Sequence, residues 1–129
     1  MIKCFSIVFL VFLLLTGCNK KTILPTVPFE LTFNQQRTLS ANGTQLTVQF
    51  TQLVEESRCP PNMECIWAGQ VAIKLKINNT QELTLGLMHP DFPSTQQIDN
   101  HSYSLQQVRY SPTSSFGDEN KCIVELVVE

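Results

Sequence analysis

From Phe29 to Glu129 apolar and polar residues alternate with a period of two, and no helical period is sustained outside the first eighteen residues. An extended chain turns successive side chains to opposite faces, so each alternating run reads as a strand with one buried side. Phe29, Leu31 and Phe33 open the series; Leu46, Val48 and Phe50 follow, with Gln45, Thr47, Gln49 and Thr51 on the other face. Asn42-Gly43 between these runs is a turn signal, because both residues tolerate positive φ. Trp67, Gly69, Val71, Ile73, Leu75 and Ile77 share a face opposite Lys74 and Lys76, and Asn78-Asn79 turns the chain into Leu83, Leu85 and Leu87. Tyr103 and Leu105 have one parity and Val108 and Tyr110 the other, which requires a bulge near Gln106-Gln107. Cys122, Val124, Leu126 and Val128 line one face of a last strand. Six or seven strands in so short a chain predict a small antiparallel β-sandwich over residues 29–129, a partly open β-barrel being the alternative with the same pattern. Residues 88–101 and 111–119 read as the longest irregular stretches.

The first eighteen residues follow a different rule. Lys3 precedes an apolar run from Ile7 to Leu15, about half of what a membrane-spanning helix needs. A basic start, a short apolar core and small residues before a boundary mark residues 1–17 as a signal peptide. Leu15-Thr16-Gly17-Cys18 resembles the lipobox of bacterial lipoproteins. That resemblance implies cleavage before Cys18 and a diacylglyceryl thioether on it, and with several acyl chains the anchor is firm. An ordinary secretory leader with a chance Cys18 is the plainer alternative. Residues 18–28, with two prolines and no periodicity, form the lipidated N-terminus and tether.

Without residues 1–17 the chain has 112 residues and a net charge of -3, which offers no footprint for nucleic acid. The expected location is the bacterial cell envelope: the outer membrane facing the periplasm where there are two membranes, otherwise the outer face of the plasma membrane. Asn19, in place of an inner-membrane retention aspartate, fits the first.

Five cysteines then sort by position. Cys4 leaves with the leader, and Cys18 is the lipidation site that the lipobox implies. An envelope location permits disulfides, so Cys59 and Cys65 are expected to pair around Pro60-Pro61-Asn62-Met63-Glu64. A thiolate metal site is the rival reading, poor in zinc ligands because no histidine is adjacent. Trp67 is expected to begin a core strand, with Ala68-Gly69 allowing close backbone approach. The stretch SRCPPNMECIWAGQVAIKLKI from Ser57 to Ile77, together with Tyr103–Pro112, resembles small bacterial envelope lipoproteins of uncharacterised function that share an SRCP…C-W-A-G motif. The resemblance covers about a quarter of the chain and implies no activity. Cys122 lies outside it, and its parity with Val124 predicts a buried free thiol.

A catalytic constellation does not assemble. His89 and His101 lie in the polar 88–101 stretch near Asp91 and Asp99, and Ser94 or Ser102 could be drawn as nucleophile, but no nucleophile elbow or glycine-rich oxyanion turn accompanies them. These read as solvated loop residues. Met63, Met88, His89 and His101 would offer soft metal ligands at no defensible spacing. Glu55 and Glu56, adjacent on a strand, would point to opposite faces and read as surface charge. The expectation is therefore a non-enzymatic binding module without cofactor or metal. It is held to the membrane by lipid and meets an envelope protein through Arg58, Pro60, Pro61, Asn62, Met63 and Glu64, or through residues 88–101. An inhibitor of an envelope protease or hydrolase, acting through loop 58–65, is the alternative. A metal-binding lipoprotein is the third.

Overall fold

The structure, a computed structural model, describes residues 27–41, 44–112 and 115–129. The leader 1–17, Cys18 and the tether as far as residue 26 lie outside the described residues, as does the Asn42-Gly43 turn. The fold is all-β, with two four-stranded antiparallel sheets face to face and no closed barrel. One sheet has the order β1 (Phe29–Thr32), β8 (Cys122–Val128), β7 (His101–Tyr110), β6 (Thr95–Ile98). The other has β2 (Gln36–Ala41), β3 (Thr44–Glu56), β4 (Val71–Ile77), β5 (Gln81–Leu87).

Alternation produces the core directly. Leu31, Val48, Phe50, Val71, Ile73, Leu75, Leu85 and Val124 are fully buried, and they come from the inward parity of both sheets. The bulge in β7 falls where the parity changes, between Leu105 and Gln107. The β4–β5 hairpin turns at Asn78 and Asn79, both left-handed (φ 52° and 59°), with Thr80 N–H donating to Ile77 O at 3.2 Å.

The described residues form eight strands against the expected six or seven, and β2 and β6 are the two that no alternating run marks. β2 has exposed polar residues on both faces and no alternation to betray it; its pairing with β3 defines it. Its inward parity includes Arg37, which lies over the Phe29 ring at 5.1 Å. An inward charge on an edge strand discourages further pairing. β6 falls inside the stretch read as irregular, and it is the outer strand of a tight hairpin turned by Asp99 and Asn100, both at positive φ.

The sandwich has two unlike ends. At the turn pole lie Asn78-Asn79, Asp99-Asn100, the start of β1 at Phe29 and the end of β8, where Ser102 and Glu129 exchange main-chain bonds. At the loop pole lie the end of β3, residues 57–70, residues 88–94 and residues 111–121. Pro93 and Ser94 join the sheets there: Pro93 O accepts from Gly86 N–H of β5 at 3.0 Å, and Ser94 O from Leu105 N–H of β7 at 2.8 Å.

Candidate functional site at the loop pole

Two register shifts in β3, between Phe50 and Gln52 and between Leu53 and Glu55, cancel in parity, so Glu56 keeps the inward parity of Phe50 and lies opposite Val71. The expectation of two surface carboxylates therefore fails. Glu56 has a side chain only 6% exposed. Its Oε1 accepts from Arg58 Nε at 2.8 Å and from Arg58 N–H at 3.2 Å. Its Oε2 accepts from Arg58 Nη2 at 2.6 Å and from Tyr110 O–H at 2.7 Å. The carboxylate is thus surrounded by donors, as a charge withdrawn from water must be. Arg58 Nη1 donates to Val108 O at 3.0 Å, which fastens the start of the loop to the other sheet. The hydrogen bond to Glu56 holds the Arg58 guanidinium above its ordinary pKa. Burial, reinforced by Glu56, raises the Tyr110 phenol as well.

The loop from Ser57 to Gln70 is closed at its base by Ser57 N–H donating to Gln70 O (2.9 Å) and Gln70 N–H donating to Ser57 Oγ (3.1 Å). Gly69 is left-handed (φ 69°) and lies so close to the Ser57–Arg58 backbone that a Cβ there would fall 2.3 Å from Ser57 O. The expected close backbone approach is present. Cys59 and Cys65 form a disulfide with Cα atoms 5.8 Å apart. Between them Met63 N–H donates to Pro60 O at 3.1 Å, folding the tip into a turn.

Trp67 corrects another expectation. It does not begin a core strand: β4 starts at Val71, because the left-handed Gly69 turns the chain back onto Ser57 before strand pairing resumes. The indole Nε1–H donates to Ser57 O at 2.9 Å, which fixes the ring while leaving the residue 55% exposed. Ile66 beside it is fully exposed, and Met63 is 62% exposed. Of the expected binding residues, Pro61, Asn62, Met63 and Glu64 are exposed, Pro60 is half-buried, and Arg58 is engaged with Glu56.

Beside the loop runs a cleft of about 450 Å³. Arg58, Pro60 and Pro61 form one wall, and Val108, Tyr110, Pro112 and Phe116 the other. Phe116 meets the Tyr110 ring edge-on at 5.1 Å and has the Arg58 guanidinium 5.9 Å from its centroid. Sequence reasoning missed Glu56, Tyr110 and Phe116 as a group, since the contacts that bring Tyr110 and Phe116 to Glu56 and Arg58 cross 54 residues or more of chain; the change of parity before Tyr110 was the one available signal.

His89 is not a solvated loop residue, its side chain being 3% exposed. Its ring folds over the small residue Gly86, where a Cβ would meet His89 Cβ at 2.6 Å. Nδ1 accepts from Asp91 N–H at 3.1 Å, which leaves the proton on Nε2, donated to Glu55 Oε2 at 2.8 Å. Gln70 Nε2 donates to Glu55 Oε1 at 2.8 Å, and these two bonds hold the Glu55 carboxyl below its ordinary pKa. His101 sits at the turn pole, paired with Ile98, so the two histidines do not meet. Among the described residues no group of three or more His, Cys, Asp and Glu is placed to hold a metal ion. Cys122 is a buried free thiol whose pKa is pushed up to about 12, chiefly by burial and then by the charge of Glu56.

Comparison with protein-family models, with curated proteins and with solved structures finds no match.

Proposed function

We propose that this chain is a lipid-anchored protein of the bacterial cell envelope whose β-sandwich is a non-enzymatic binding module, with the loop pole as its contact surface. One observation carries the reading: Met63, Ile66 and Trp67 stand exposed together on a loop that a disulfide, a bonded base and a glycine contact hold in one shape. Exposed apolar side chains that are already immobilised lose little entropy when a partner covers them, and Trp and Met are favoured in interface cores. The direction of the chain supports it. β1 begins at the turn pole, so a tether reaching Phe29 from Cys18 attaches at the end opposite the loop, which directs the loop away from the anchoring membrane.

The inhibitor alternative calls for an extended, substrate-like segment between the cysteines. The Pro60–Met63 turn favours the docking knob instead.

The test is a photo-crosslinking amino acid at Met63 in living cells. A discrete crosslinked species is expected, lost with Ile66→Asp and Trp67→Ala. Crosslinks that are absent, or that ignore both substitutions, would remove the reading. Incorporation of labelled palmitate, abolished by Cys18→Ser, tests the anchor.

A further inference from the structure

The cleft beside the loop contains an unfinished sheet edge. β6 covers β7 only from His101 to Ser104, and Ser94 O takes the next donor, Leu105 N–H. The chain before Ser94 then leaves for β5, where Pro93 O meets Gly86 N–H. Beyond the bulge at Gln106 no strand pairs with this side of β7 among the described residues.

Alternation decides which main-chain groups face that gap. Ser111 N–H donates to Lys121 O, on the β8 side, so the main-chain groups of Tyr110 and Val108 turn the other way. Val108 O accepting from Arg58 Nη1 confirms the direction. The N–H of Val108 and both polar groups of Tyr110 therefore face the side from which Arg58 approaches, with no main-chain partner among the described residues. Pro112 closes the far end of this edge, and Pro60 and Phe116 flank it.

We propose that the cleft takes an extended, uncharged segment of a protein partner as an added strand on β7. Its main chain bonds to Val108 N–H and to both polar groups of Tyr110, and an apolar side chain rests against Phe116 and Pro60. Each element of this chemistry follows from the site. Alternating donors and an acceptor along one edge match a β-strand; a helix satisfies its own main chain, and a polyproline segment lacks the donor that Tyr110 C=O requires. Charge argues for an uncharged segment, since both arginines lining the cleft are already paired, Arg58 with Glu56 and Arg109 with Glu30. The inference rests on the binding-module reading and deepens it from a surface to a mode of recognition.

The experiment uses the full chain in detergent micelles and a phage-displayed library of random heptapeptides as the probe. Selected peptides are synthesised, and amide hydrogen exchange is followed by NMR. Bound peptide is expected to slow exchange at Val108 and Tyr110 by about tenfold or more, as pairing into a sheet requires. N-methylation at alternate peptide positions is expected to weaken binding by a similar factor, and Phe116→Ala by about tenfold, the scale of an interface anchor. The proposal is overturned if the library yields no binder, or if binders leave both amides unchanged. It is also overturned if the two amides become protected with rising protein concentration alone, which would make a second copy the occupant. Unchanged amides together with crosslinks still sensitive to Trp67→Ala would sink strand addition and leave the binding-module reading standing; loss of those crosslinks would sink the reading itself.

Discussion

The two poles of this sandwich solve the same problem, reversing the chain between strands, by different means. At the turn pole the reversal is local: Asn78 and Asn79 take left-handed φ and Thr80 N–H donates to Ile77 O at 3.2 Å, with a single side-chain bond to the neighbouring strand, Thr47 N–H donating to Asn78 Oδ1 at 3.0 Å. At the loop pole fourteen residues, Ser57–Gln70, separate β3 from β4, and their order comes from remote partners: Glu56 on Tyr110, Arg58 on Val108, Glu55 on His89. A local turn needs little from the rest of the fold. A long loop stays ordered only where several distant groups hold it against its conformational entropy. The contrast places rigidity and exposure together at one end, where a binding surface is proposed, and leaves the other end to short asparagine turns.

Glu56→Gln gives the largest expected effect, because it strikes the group that ties the loop to both sheets. The amide nitrogen of Gln would turn a donor toward Arg58 or Tyr110, leaving buried donors facing each other. A loss of about 2–4 kcal/mol in chemical denaturation is expected. The double variant Glu56→Leu with Arg58→Met removes charge and partner together and should cost less than Glu56→Gln, as paired replacement often does. If Glu56→Gln costs no more than a surface substitution, the loop pole is not held by this network and the contrast between the poles fails.

Asn78→Ala tests the opposite pole with a smaller effect. Alanine pays for left-handed φ and forfeits the bond to Thr47, about 1–2 kcal/mol in all. Asn78→Gly keeps the conformation and loses the side-chain acceptor, so about half that cost should return. Equal losses for the two variants would show that the side-chain bond, rather than φ, sets this turn.

The same contrast explains what could be read from the sequence. The core faces of β4, β5 and β8, the Asn78-Asn79 hairpin and the β7 bulge were legible because period two and turn residues are local signals. β2 was not, since Arg37, Thr38 and Ser40 carry no apolar face and pairing with β3 alone makes them a strand. Trp67 was misplaced because its parity matches Val71, yet Gly69 breaks the strand between them. The cysteine loop was located correctly in the chain. What gives it shape was illegible: Glu56 shares the parity of Val48 and Phe50, but Tyr110, the partner that makes a carboxylate tenable there, lies 54 residues away, and no residue in β3 announces the two register shifts that set Glu56 opposite Val71.

His89 and Glu55 supply the smallest effect, and one that pH separates from the rest. Glu55 has a folded-state pKa below its ordinary value because Gln70 and His89 donate to it. The folded carboxyl therefore binds a proton less readily than the unfolded one. Its contribution to stability is complete above the unfolded pKa and is lost as pH falls through the folded pKa, in a window that lies below the ordinary carboxylate value of 4.5. Glu55→Gln removes that titration, so its stability curve should be flatter than that of the parent across this window, with little difference between the two below it. Chemical denaturation at half-unit pH steps measures the slope. Because the Glu55 side chain is 38% exposed against 6% for Glu56, solvent screens it more and the change should be small beside that of Glu56→Gln. The residue next to it in sequence, Glu56, is buried and the stronger structural tie, so a steeper acid dependence lost with Glu55→Gln would reverse the ranking of the two carboxylates and move the anchor of the loop pole from the inner face of β3 to its outer one.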